Sequence, residues 1–353
     1  MPNERLPVGK LPSALLERLL AAHAPTDPAV LVGPGIGRDA AAFVVQHGVL
    51  VAKSDPITFA TEGAADYLVD INANDLACMG AFPRFLLVTA LFPEHTLVSD
   101  VERTFTELGE ACRRHGIALI GGHTEVSSGV DRPILVGMML GEAEERGLIE
   151  PGQARPGDRL LMSGAIAVEG TALLARELRD SLSESLPADV LARARQFTSD
   201  PGISVTSVAR AIGKLPGVRA MHDPTEGGLG MGVREIAIAS ECGAELELDR
   251  VPIHPETAAI ASALGLDPLG MLASGSLLAA IAPESVGAAI DAASAAGSIL
   301  TDIGVLTPEA DGFWLVSANG RTPIPEWTTD EVSRAIAATS QQSHQSDRRG
   351  GRA

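Results

Sequence analysis

A chain of 353 residues that is 45% hydrophobic has material for two cores of ordinary domain size, and with aromatics at only 3% those cores must be aliphatic. A formal net charge of -18, with no offsetting Lys/Arg block, opposes a nucleic-acid backbone or an anionic membrane as partner. It leaves room for a nucleotide, because metal ions at a local site overrule the global field.

Cys78, Cys112 and Cys242 are far apart and form no CxxC, so neither a disulfide framework nor a zinc knuckle is expected and a reducing cytoplasm fits. The first twenty residues lack the long apolar core and small-residue cleavage pattern of a signal peptide. No apolar run is long enough to predict a membrane span.

The spacing of apolar residues predicts a helix over 11–23 with Ser13 as cap, as part of an N-terminal segment 1–29. A Gly/Pro-rich stretch, Val32 to Asp39, follows, then two short β-like runs at 41–46 and 48–54. Residues 64–79 read as a helix stopped by Gly80, 85–92 as a strand, and 99–116 as a helix capped by Ser99 or Asp100 and ended by Gly116. The run 117–122 reads as a strand passing into a turn at Gly121-Gly122, and 133–141 as a further strand. The mixed order points to an α+β layer over 30–143 rather than a Rossmann sheet.

Polar residues 144–158, with three Gly and two Pro, mark a domain boundary. Beyond it, in a second domain over 155–340, strands are expected at 159–164, 244–249, 276–282, 299–306 and 313–318. Helices are expected at 170–180, 186–197, 202–215, 227–243 and within 288–297. Residues 341–353 are polar and predicted to be disordered. No short internal repeat is present.

Four aspartates stand beside small or turn-forming residues at the ends of apolar elements: Asp39, Asp55, Asp75 and Asp223. A rigid scaffold presents side chains to a cleft at such places. Converging carboxylates suit Mg²⁺, which takes a few of them together with phosphate oxygens and water. Any one of the four is equally at home in a turn or a helix cap. Gly33, Gly35 and Gly37 could let backbone N–H groups approach phosphates, but the stretch is no Walker P-loop and also reads as a plain loop. Gly121-Gly122-His123-Thr124-Glu125 ends a strand and reads either as a ligand edge or as a tight turn. Gly227-Gly228 opens a helix whose N-terminus suits an anion. The other histidines have no metal spacing, and neither HExxH nor GxSxG occurs. No catalytic side chain stands out. The cysteines sit on apolar faces or at a helix end and read as core residues.

Taken in order, GKLPSALLERLL, VGPGIGRDAA, SDPIT, INANDLACMGAFP, GGHTEV and MHDPTEGGLGMGVREIA resemble the PurM-like, AIR-synthase-related superfamily over roughly residues 8–320. The strongest likeness is to the hydrogenase maturation proteins called HypE. The resemblance implies a two-domain PurM-like α+β fold. Its N-terminal domain would pair with a second copy to form a dimeric β-barrel, and its C-terminal domain would be an α/β sandwich. It further implies a Mg-ATP enzyme that activates a substrate oxygen by phosphoryl transfer to a small-molecule or protein acceptor. On that basis Asp39, Asp55, Asp75 and Asp223 hold Mg²⁺ and the triphosphate. Asn74 is a polar partner, Gly35 and Gly37 cover the phosphates, and Gly122, His123, Thr124 and Thr225 lie on the ligand edges.

Three departures from HypE stand out. His123 replaces a usual acid, so the site would bind metal with one fewer carboxylate, and Glu226 replaces a usual Arg near the substrate side. HypE also ends in Pro-Arg-Ile-Cys, whose thiol is carbamoylated and dehydrated; here the sequence ends DRRGGRA, with no cysteine after Cys242, which implies a different acceptor. Two other readings are a thiamine-monophosphate kinase and a nucleotide-binding scaffold without turnover. Against the kinase, residues 272–278 read LASGSLL where that family carries a GGEDYEL-like motif.

Overall fold

Alternating exposure along one strand shows how the first layer is organised. In β4 (Leu50–Ile57), Leu50, Ala52, Ser54 and Pro56 are exposed, while Val51, Lys53, Asp55 and Ile57 turn toward the helices. A computed structural model describes residues 5–6, 9–32, 42–45, 48–58, 63–143 and 146–339. The chain divides into two compact units, 1–148 and 149–353.

The first unit contains β1 (Gly9–Lys10), α1 (Ser13–Ala22), β2 (Val30–Val32), β3 (Ala42–Phe43) and β4. These are followed by α2 (Ala64–Cys78), β5 (Ala81–Pro93), α3 (Val98–His115), β6 (Ala118–Ser127) and β7 (Ile134–Ala143). Its five-stranded sheet runs β1-β6-β5-β7-β4. Only β5 and β6 are parallel, the connection between them being α3. α2 packs on β4, β5 and β7, with α3 beside it. α2 buries Tyr67, Leu68, Val69, Leu76 and both asparagines, Asn72 and Asn74, so an unusually polar helix lies against the sheet.

Some boundaries differ from expectation for physical reasons. α1 and α3 have Pro12 and Leu97 at their N-caps and no side-chain cap bond; Ser13, Ser99 and Asp100 lie inside the helices. Gly116 does end α3 in a left-handed turn, φ 66°. The expected turn at Gly121-Gly122 is instead a strand, because β6 continues to Ser127. Gly122 carries φ 140°, and a Cβ there would collide with the Val88 carbonyl oxygen, so the two glycines accommodate a register shift against β5.

The second unit contains β8 (Arg159–Ser163), α4 (Val168–Glu177), α5 (Arg179–Ser183), α6 (Ala188–Gln196), α7 (Thr206–Gly213) and β9 (Val218–His222). Next come α8 (Gly228–Ala239), β10 (Cys242–Glu247), α9 (Pro255–Leu264), β11 (Leu278–Ile281) and α10 (Val286–Ala295). β12 (Leu300–Pro308), β13 (Phe313–Ser317), β14 (Gly320–Pro323) and a helix α11 over 331–339 close the unit. The sheet order is β14-β13-β10-β12-β8-β11-β9. Leu160 and Met162 of β8 join the core formed with α4, α6, α8 and α9, and the alternate residue Leu161 is buried as well. Helices therefore cover both faces, the α/β sandwich expected. No described helix is long and apolar enough to cross a membrane.

Gly137 of β7 lies in register with Asp55. A Cβ at Gly137 would lie 2.9 Å from Asn72 Nδ2 and 3.2 Å from Leu68 Cδ1. Gly137→Ala must push α2 off the sheet and should cost about 1–3 kcal/mol. Thermal unfolding of the variant should show a lowered midpoint; an unchanged one would mean that α2 is not seated this closely.

Candidate functional site

Strand period and helix period together build the first part of the site. Lys53 and Asp55, two apart on β4, point to the same face. Asn72 and Asp75, three apart on α2, face them. The Asp55 amide donates to Asn72 Oδ1 at 3.1 Å, and Asn72 Nδ2 donates to the Leu68 carbonyl at 2.9 Å, which fixes strand and helix together. Ser54 Oγ donates to the Gly137 carbonyl at 2.7 Å on the neighbouring strand. Lys53 Nζ sits 3.0 Å from Asp55 Oδ2 and 3.0 Å from Asp75 Oδ2.

Burial pushes the Asp75 carboxyl above the ordinary carboxylate range; Lys53 opposes this and the nearby Asp55 carboxylate adds to it. Burial also works against the Lys53 ammonium, but Asp75 and Asp55 outweigh it and raise its pKa. Asp75 Oδ2 is sealed from solvent and accepts no hydrogen bond of good geometry, so its compensation is the Lys53 charge. Two carboxylates with an incompletely satisfied oxygen suit a hard divalent cation such as Mg²⁺. Among the described residues no three His, Cys, Asp or Glu side chains converge on one point. Asp39, Gly35 and Gly37 lie outside the described residues.

Asn74 is fully buried in α2. Gly122, His123 and Thr124 lie on β6, three strand positions from β4 and so on the order of 14 Å away across the sheet. The structure does not bring them to the Asp55–Asp75 pair. His123 Nε2 pairs with Glu125 Oε2 at 3.0 Å on the same strand.

The second unit supplies its own cluster. β9 ends at His222, which pairs through Nε2 with Glu235 Oε2 at 2.7 Å, and Asp223 follows, 1% exposed. The chain then turns through Gly227 (φ 76°) and Gly228 (φ 63°) into α8. A Cβ at Gly228 would lie 2.5 Å from the Leu269 carbonyl oxygen and 2.6 Å from that of Met271, so only glycine fits. Thr225 anchors the turn through its carbonyl, which accepts from the amides of Gly228 (3.1 Å) and Ala273 (3.3 Å).

Two acids in this unit escaped sequence reasoning. Asp330, just before α11, accepts the Gly227 amide at 2.9 Å and the Val332 amide at 2.7 Å, pinning the glycine turn from 103 residues away. Glu169 lies buried in the first turn of α4, where its amide donates to the Ser274 carbonyl at 3.3 Å. Burial pushes the Glu169 carboxyl up to about 7; the Ser274 hydroxyl opposes, and the charges of Glu226 and Asp330 add to the rise. The helix expected from Gly170 starts two residues earlier, at Val168, and so takes in Glu169. That residue was legible only as a polar interruption before an Ala/Leu helix.

Residues 27–143 match the N-terminal domain of AIR synthase related proteins, and residues 155–316 match the C-terminal domain. The chain is 30% identical over 308 residues to the carbamoyl dehydratase HypE of Rhizobium leguminosarum bv. viciae, covering 84% of each chain. It belongs to the AIR synthase related family. Among solved structures, this AIR synthase related chain matches the hydrogenase maturation protein HypE in complex with ATP. The TM-score is 0.74 at 23% identity, over 90% of this chain and 96% of that one. It also matches thiamine-monophosphate kinase from Stenotrophomonas maltophilia K279a, with TM-score 0.67 at 20% identity, over 90% and 99%. These likenesses establish the two-domain PurM-like fold.

The Glu169 environment in this AIR synthase related protein gives a signed pH prediction. Below 4.5 the carboxyl is protonated in both folded and unfolded chains; between 4.5 and about 7 only the unfolded chain ionises, so stability is lost as pH rises, the full loss being reached above about 7. Glu169→Gln should therefore raise stability at alkaline pH, by up to about 3 kcal/mol, and change little below the unfolded pKa. Chemical denaturation of both proteins across pH measures this; a variant equally destabilised at every pH would contradict it.

Proposed function

We propose that the chain is a HypE-like enzyme that uses Mg-ATP to activate a substrate oxygen by phosphoryl transfer. The observation that carries this reading is the Asp55–Asp75 pair, two carboxylates on different elements locked onto one another by Asn72 and Lys53. A second buried aspartate site, Asp223, precedes a glycine turn into a helix N-terminus, where backbone N–H groups favour anions. Asp39, with Gly35 and Gly37, completes the reading by resemblance, as ligand and phosphate cover. Asn74, Gly122, His123, Thr124 and Thr225 are assigned to the nucleotide and substrate edges.

Phosphoryl transfer asks for positioning and charge neutralisation more than for covalent help from the protein. By resemblance Asp39, Asp55, Asp75 and Asp223 are each assigned to Mg²⁺ binding; the ion would supply neutralisation of polyphosphate charge. The chain's own residues hold that geometry. Asn72 fixes the Asp55 backbone, while Asp330 and Thr225 fix the turn after Asp223. We assign the acceptor to a separate small molecule or protein. Cys78, Cys112 and Cys242 are buried, and burial pushes the Cys112 thiol up to about 12 and raises that of Cys242.

We also infer a homodimer. The sheet face opposite α2 leaves Leu50 and Met138 exposed at 41% and 45%, with Leu87 and Leu91 partly exposed on β5. A second copy laid on this face would close the two open sheets into a barrel. Met138→Lys should shift the mass seen by light scattering from dimer toward monomer, and a monomeric parent protein would contradict the assignment.

Isothermal calorimetry tests the ATP reading. The parent protein should bind Mg-ATP, and Asp75→Asn and Asp223→Asn should each weaken binding by about tenfold or more, on the order of 1.4 kcal/mol. Binding unchanged in both variants would overturn it.

A further inference from the structure

Lys53 holds the acidic pair together, but neither the family resemblance nor the metal-ligand assignment gives it a role toward metal or nucleotide. It projects from the same face of β4 as Asp55, and its Nζ lies 3.0 Å from the Oδ2 atoms of both Asp55 and Asp75. The side chains are about equally shielded, Lys53 being 36% exposed, Asp55 32% and Asp75 25%. The ammonium bridges the very oxygens assigned to the metal.

We propose that Lys53 is a tethered cation that competes with a divalent metal for the Asp55–Asp75 pair, so that metal enters as its nucleotide complex rather than alone. This rests on the reading of Asp55 and Asp75 as metal ligands. Three physical points carry it. Two carboxylates this close and half-buried need a positive charge between them, and Lys53 supplies it without any ion from solution. A Mg²⁺ ion held at roughly 2.1 Å from these oxygens would stand within a few ångströms of the ammonium, and like charges at that range repel strongly. The four-carbon lysine stem is flexible and its ammonium seeks phosphate as readily as carboxylate. A polyphosphate brought in with the metal gives the displaced ammonium a new anionic partner; free metal gives it none. The device makes metal and nucleotide binding cooperative and leaves the pair partly neutralised between turnovers.

Mn²⁺ is the probe, its free concentration read by electron paramagnetic resonance in titrations of the nucleotide-free full chain. Lys53→Met should bind Mn²⁺ about tenfold more tightly than the parent protein, as expected for removing a unit charge beside the ion. Lys53→Gln should do the same, and either variant serves if the other folds poorly. Lys53→Arg, which keeps the charge, should bind as weakly as the parent, and adding Asp75→Asn to Lys53→Met should abolish the gain. Unchanged or weaker binding in Lys53→Met and Lys53→Gln, or a gain that survives Asp75→Asn, would overturn the proposal. A parallel titration with Mn-ATP separates the two levels. If Asp75→Asn weakens Mn-ATP binding while Lys53→Met leaves Mn²⁺ affinity unchanged, the ATP reading stands and the role of Lys53 fails. If Asp75→Asn leaves Mn-ATP binding intact, the ATP reading itself fails.

Discussion

Two half-buried carboxylates, one on a strand and one on the helix packed over it, repel one another unless a positive charge joins them or one takes up a proton. In the first unit that charge is Lys53, which joins β4 to α2 beside the Asn72 bond, while the buried apolar residues of α2 seat the helix on the sheet. Asn72 takes the Asp55 amide, and Gly137 gives up its side chain so that Asn72 can reach in. Removing either partner of a buried ion pair leaves the other charge uncompensated, so the arrangement is held by mutual need rather than by a strong net attraction. The same need makes the pair receptive to a harder, doubly charged ion.

The second unit solves a different problem. A turn that places a buried aspartate at the end of β9 must reverse direction immediately into α8, and two left-handed glycines do this with carbonyls of Leu269 and Met271 close above. The turn is held by a carboxylate from the far end of the unit, Asp330. Trp327, three residues earlier, lies so close to Gly230 and Gly270 that a Cβ at either glycine would collide with the indole. The aliphatic core beneath is dense in Ala and Leu, with Leu160, Met162, Leu278 and Ala280 fully buried, which gives the turn a stiff platform.

Much of the first unit was legible in its periodicity. α2 and α3 carry clear helical spacing and end at Gly80 and Gly116, and their observed limits fall close to those expected. The errors arose where one local signal has two physical meanings. Gly121-Gly122 reads as a turn because glycine favours turns, yet in the sheet it serves a bulge, since β5 approaches too closely for a side chain. Serine near a helix start reads as a cap, yet Pro12 and Leu97 hold those positions. β9 and α9 were not anticipated, one being only five residues long and the other, over Pro255–Leu264, nearly apolar all round. Among site residues, Asp55, Asp75 and Asp223 stand out in the sequence as acids beside small or turn-forming residues, although Asp55 lies inside β4 and Asp75 inside α2, whereas Lys53, Glu169 and Asp330 matter through contacts that sequence distance hides. Strand alternation alone would have placed Lys53 beside Asp55.

The central claim is that the Asp55–Asp75 pair holds the metal of a nucleotide complex. A crystal structure of the protein with Mg²⁺ and a non-hydrolysable ATP analogue tests it most directly. The account predicts a Mg²⁺ ion about 2.1 Å from an oxygen of Asp55 and of Asp75, bridged to the polyphosphate, with Lys53 Nζ turned away from both carboxylates. A bound nucleotide whose metal touches neither aspartate, with Lys53 still bridging the two, would contradict it.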